Sequence, residues 1–146
     1  MNRFSLSVFI TLMFCMMPLK AAKNLAEPII LIGDDAPAFV LKDATVKDVS
    51  FGYIQKKQPY TALIFMRSVD WCRYCIFQMN QLQKNLDRLH DAGLEPVVVS
   101  RDTQEAVKKA ADKYNISYTL LSDPESELIK TYGVLDERTD KDSEHY

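Results

Sequence analysis

Three short apolar runs, set apart by longer amphipathic stretches, limit the folds open to this chain more than any other feature. They are Thr61-Ala62-Leu63-Ile64-Phe65-Met66, Pro96-Val97-Val98-Val99-Ser100 and Tyr118-Thr119-Leu120-Leu121. Runs this short and this continuous read as strands buried on both faces. Between the first two, Ile76, Met79, Leu82, Leu86 and Leu89 recur at three- and four-residue steps, which predicts one apolar helix stripe. Gly93 lies where that helix should stop. After the second run, Asp102 is expected to cap a helix, with Glu105 completing a capping box and Val107, Ala110, Ala111 and Tyr114 as its inner face. After the third, Asp123 and Pro124 are a cap and first-turn pair for a helix over Glu125 to Tyr132, closed by Gly133. Strands alternating with helices require crossover connections, so the expected fold is α/β, a central mostly parallel sheet flanked by helices.

Upstream, Pro28 to Ile32 leads into a turn at Gly33-Asp34-Asp35-Ala36-Pro37. Phe39-Val40-Leu41 and Asp48-Val49-Ser50-Phe51 are short strand candidates, and Gln55 to Pro59 is a polar loop in which Lys56 and Lys57 are expected to be solvated. The 146 residues suffice for one domain of ordinary size. A formal net charge of −2, with no basic stripe, argues against nucleic acid as a partner.

The N-terminus follows a different pattern. Arg3 precedes an uncharged apolar run from Phe4 to Met17, Pro18 ends it, and Ala21 and Ala22 follow. This is the layout of a secretory signal peptide, and the run falls short of the roughly 18 residues that a membrane span needs. Residues 1–22 are therefore read as a signal peptide and the protein as exported, periplasmic or secreted, without a stable membrane span. A buried N-terminal helix or an uncleaved anchor is the alternative. Cleavage would move the net charge from −2 to −4, because the segment carries Arg3 and Lys20 and no acid. It would also remove Cys15. Residues 23–135 are expected to form the folded domain, and the polar residues 136–146 a disordered tail.

Two cysteines then remain, Cys72 and Cys75, between a buried strand and the start of an amphipathic helix. At a helix start the amides are unpaired and the macrodipole is positive, which favours a thiolate. Cys72 is thus the expected nucleophile, with Arg67 and Arg73 as added positive charge nearby. Cys75, one turn along, can resolve a mixed disulfide or a sulfenic acid. A structural zinc site wants four ligands, and His90 and His145 lack ligand spacing, so no metal and no cofactor are expected. A purely structural disulfide stays open. Trp71 is read as a shield for the pair or as core, Asp70 as a helix cap, His90 as a partner of a helix end, and Ser100-Arg101-Asp102 as capping before catalysis.

Gly33-Asp34-Asp35-Ala36-Pro37-Ala38-Phe39 resembles the opening turn of peroxiredoxins of the alkyl hydroperoxide reductase C / thiol-specific antioxidant family. Asp70-Trp71-Cys72-Arg73-Tyr74-Cys75 looks like the redox site of its thioredoxin-like members. Leu120-Leu121-Ser122-Asp123 with Tyr132-Gly133-Val134 resembles the later strand and helix. The resemblance covers roughly residues 28–135 and implies a thioredoxin-like fold. It further implies a peroxide or disulfide substrate and an external thiol reductant such as a thioredoxin-like protein. Two departures stand out. The family's Pro-x-x-x-Thr/Ser-x-x-Cys motif is not matched: aligned on Cys72, its first two positions are Phe65 and Val69, and aligned on Cys75 they are Ser68 and Cys72. Ser68 and Arg67 are the candidates to stand in for it. The family also closes with a strand opening on a cis-proline, then a further strand and a helix, and the expectation here is that this C-terminal hairpin and helix are missing. Three functions follow as alternatives: peroxide reduction, thiol–disulfide exchange with proteins, and a non-catalytic binding domain.

Overall fold

The computed structural model describes residues 30–135, so the signal-peptide and tail expectations lie outside the described residues. The strands are β1 (Val40–Asp43), β2 (Asp48–Ser50), β3 (Tyr60–Met66), β4 (Leu94–Ser100) and β5 (Thr119–Ser122). The helices are α1 (Phe51–Ile54), α2 (Arg73–Lys84), α3 (Leu86–Asp91), α4 (Gln104–Tyr114) and α5 (Glu127–Thr131). One sheet runs in the order β2-β1-β5-β4-β3.

The three apolar runs are the strands predicted, β3, β4 and β5, and they pair in parallel, with Met66 opposite Ser100 and Ser100 opposite Ser122. The expectation of a mostly parallel sheet holds for these three only. β1 runs antiparallel to β5, and β2 antiparallel to β1, so the sheet is mixed. A hairpin joined by residues 44–47 is too short for a crossover and must turn back on itself.

Alternation along the strands divides the core into two. Val98, Leu120 and Ile64 face Met79 of α2 and Val107 and Ala110 of α4. Val97, Val99, Leu121, Leu63 and Phe65 face the opposite side, against Ile54 of α1 and Leu128 and Ile129 of α5. A strand covered on both faces has no polar positions to spare, which is why the runs look continuous.

Four local readings need correction. The single stripe after the cysteines is two helices, broken at Asn85 (φ −109°, ψ 13°), whose side-chain amide donates to the Gln81 carbonyl at 2.8 Å. Asn competes with the backbone in this way, so it interrupts the helix while the apolar spacing runs on. Phe51 begins α1 rather than ending β2, because Ser50 Oγ caps the turn by accepting from Tyr53 N at 3.3 Å. The last helix is shorter than predicted and its N-cap is Ser126, although the Asp123 carboxylate still accepts from Glu127 N and Ile129 N, each at 3.0 Å. Lys57 is not a solvated loop cation: its Nζ lies 2.9 Å from buried Glu95 and 2.8 Å from Thr119 Oγ1.

Candidate redox site at the head of helix α2

The C-terminal ends of β3 and β4 lie side by side, and the loop after β3 carries the chain from Met66 to α2. Cys72 stands at the N-cap of α2 in extended geometry, where its Sγ accepts from Cys75 N at 3.3 Å. Cys72 and Cys75 form a disulfide, with Cα atoms 5.2 Å apart. That spacing lies within the ordinary disulfide range. The sequence placed the pair at a helix start, and the structure puts both sulfurs at the first turn. Asp70 is not the cap, since Cys72 occupies that position. Cys72 is 9% exposed, while Cys75 is half-buried against the α2–α4 side of the core.

α2 is pinned over the sheet by two contacts. Met79 is wholly buried, and Tyr118 donates its hydroxyl to the Met79 carbonyl at 3.1 Å. Burial pushes the Tyr118 phenol well above the ordinary tyrosine range, so it remains a donor. These contacts fix the helix head that presents Cys72.

Around the pair the surface is aromatic. Tyr74 is 89% exposed, Phe77 66% and Trp71 38%, and the Arg67 guanidinium carbon sits 5.1 Å from the centre of the Trp71 ring. Trp71 is therefore neither core nor a full shield. The Arg67 contact is a cation–π arrangement, which holds that cation beside the redox loop.

The residue that the sequence reading misassigned is Asp102. Thr103, not Asp102, caps α4, its Oγ1 accepting from Ala106 N at 3.3 Å. The Asp102 carboxylate instead accepts from Ser68 Oγ at 2.7 Å and from Val69 N at 2.6 Å, and Ser100 Oγ donates to it as well. Its place just past the end of a parallel strand was the available signal. Ser68 is fully buried and its hydroxyl is committed to this network, so it is not free to stand in for the missing motif hydroxyl. Val69, also fully buried, brings no hydroxyl to that position. His90 lies elsewhere, 3.1 Å from Glu95, near the start of β4. Among the described residues, no three His, Cys, Asp or Glu side chains gather as a metal set, and no helix is long and apolar enough to cross a membrane.

A mixed sheet flanked by helices, with a cysteine pair at the head of the helix that follows β3, defines a thioredoxin-fold protein of peroxiredoxin-like type. The chain matches the AhpC/TSA family over residues 32–144 and belongs to that family, which makes it an oxidoreductase by class. It is 29% identical over 107 residues to peroxiredoxin Bcp of Escherichia coli K12, covering 73% of this chain and 67% of that protein. Among solved structures, it is similar to AhpC of Enterococcus faecalis at 26% identity and a TM-score of 0.61, covering 70% of this chain and 64% of that one. Peroxidoxin BcpB of Mycobacterium tuberculosis shares the fold, with a TM-score of 0.61 at 19% identity over 69% of this chain and 64% of that one. The chain thus spans just under two thirds of the length of these two structures.

Proposed function

We propose that this protein reduces peroxides through a dithiol/disulfide cycle at Cys72 and Cys75. The observation that carries the reading is the position of Cys72 as N-cap of α2, with the Cys75 amide aimed at its sulfur and the two sulfurs within bonding reach. The Cys72 thiolate attacks one peroxide oxygen, the O–O bond breaks, and the leaving oxygen departs as water or alcohol after taking a proton. Cys72 is then a sulfenic acid. The Cys75 thiol displaces water from it and forms the disulfide. An external dithiol, of the kind a thioredoxin-like protein carries, supplies two electrons and two protons to return both thiols. We further read residues 1–22 as an export signal, so that the cycle runs in an oxidising compartment. A mature protein isolated from the cell envelope or medium that still carries Met1 would oppose this.

The test is single-turnover reaction of the reduced protein with hydrogen peroxide, followed by Trp71 fluorescence and thiol counting. Fast loss of two thiols per chain, abolished in Cys72→Ser and stopping at a sulfenic acid in Cys75→Ser, is the expected result. Loss at the rate of a free thiol, or full activity in Cys72→Ser, would overturn it.

The exposed Trp71, Tyr74 and Phe77 favour a second reading, thiol–disulfide exchange with a protein substrate held against those rings. There Cys72 attacks a disulfide sulfur of the substrate and Cys75 releases the mixed disulfide. Turnover in an insulin-reduction assay supports this reading, and its absence removes it.

A further inference from the structure

We propose that Asp102, acting through Ser68, is a positioning residue that sets Cys72 against the first amides of α2 and so sets its reactivity. Three consecutive amides of the loop before Cys72 end on these two side chains. Val69 N donates to Asp102 Oδ2 at 2.6 Å, and Asp70 N and Trp71 N donate to Ser68 Oγ at 3.0 and 3.2 Å. The Ser68 hydroxyl has one proton, which it gives to Asp102 Oδ1 at 2.7 Å. Its two lone pairs are therefore left for the two amides, and it has no second arrangement that satisfies all three partners.

Asp102 is fixed in turn to the middle of the sheet. Its amide donates to Ser100 Oγ at 3.1 Å, its carbonyl accepts from Ser122 Oγ at 2.8 Å, and Ser100 Oγ donates back to the carboxylate. Ser68 and Ser100 are wholly buried and Ser122 nearly so. The loop that ends in Cys72 thus hangs from the ends of β4 and β5, not from β3 alone. A thiolate gains from helix-head amides only when it sits in line with them, so releasing this loop costs Cys72 thiolate character. A cap for α4 would ask none of this of Asp102, and Thr103 already fills that role.

The assignment rests on Cys72 being the attacking thiol of the proposed cycle. Its test uses no peroxide, so the two ideas fail separately. The rate of Cys72 alkylation by iodoacetamide is followed against pH in the full chain carrying Cys75→Ser. Ser68→Ala leaves every charge in place and isolates position. It is expected to move the profile to higher pH and slow the reaction about threefold at neutral pH. Asp102→Asn moves it the same way and, being isosteric, carries the test if Ser68→Ala fails to fold. The double variant shows no further shift, and Ser68→Thr, which keeps the hydroxyl, restores the parent profile. Asp123→Ala is the control, because it removes a buried carboxylate that holds two amides of α5. It is expected to lower the melting midpoint and leave the profile unmoved. Ser68→Ala and Asp102→Asn proteins that melt lower yet alkylate like the parent would overturn the proposal. So would an Asp123→Ala protein whose profile shifts as far as theirs. A chain that shows the shift but turns over no peroxide sinks the peroxidase reading alone.

Discussion

Lys57→Met tests whether the buried charge near the start of β4 is held as the structure indicates. The Glu95 side chain on β4 is 5% exposed and meets Lys57 Nζ at 2.9 Å and His90 Nε2 at 3.1 Å. Methionine keeps most of the lysine stem and removes only the cation. Stripping one partner from a fully buried ion pair costs about 3–5 kcal/mol, because the other charge is left without compensation. Lys57 retains a third of its side-chain exposure, so the figure here falls to about 2 kcal/mol. For a domain of this size that lowers the melting midpoint by roughly 8 °C. Adding Glu95→Gln removes the charge that needed a partner and should recover about half of the loss. Urea denaturation at neutral pH reads both, with the slope unchanged across the series. A Lys57→Met protein within about 0.5 kcal/mol of the parent, or a double variant less stable than the single, would refute the reasoning.

Two further outcomes follow from the β1–β2 turn. Val46 is β-branched, about half exposed, and held at φ 66°, where such side chains crowd the backbone. Val46→Gly is expected to raise stability by about 0.5–1 kcal/mol after the added freedom of the unfolded glycine is counted, and a lower urea midpoint would contradict this. In the same turn burial works to raise the Asp43 carboxyl, but hydrogen bonds from Thr45 Oγ1, Lys47 N and Thr45 N outweigh it and hold the group below its ordinary 3.8. A depressed folded pKa gives stability that is present above the unfolded value and lost as pH falls through the folded one. The difference in melting midpoint between the parent and Asp43→Asn should therefore narrow as pH drops below 3.8, and a gap that stays constant there would count against the hydrogen-bond geometry.

What could be read from the residues alone was what depends on near neighbours. β3, β4 and β5 announced themselves because a strand covered on both faces must be apolar throughout, and α4 because its inner face repeats at the helical period. The cysteine pair was legible from spacing and setting together. What escaped depends on partners far along the chain. Nothing local to Lys57 points to Glu95, 38 residues away, and nothing local to Asp102 points to Ser68, 34 residues back. Asp102 has the right chemistry for two tasks, and only the folded sheet shows that Thr103 performs the first. The break at Asn85 was masked for a different reason: the apolar spacing continues across it, so periodicity alone reports a single helix.

The amide of Cys75 has a consequence for how readily the site can cycle. It already points at Cys72 Sγ, at 3.3 Å, while the two sulfurs are joined. In the proposed cycle, the negative charge that would settle on Cys72 when the S–S bond opens meets a dipole oriented in advance. The backbone of α2 would then stabilise the reduced pair of the proposed cycle through an amide that is already in place.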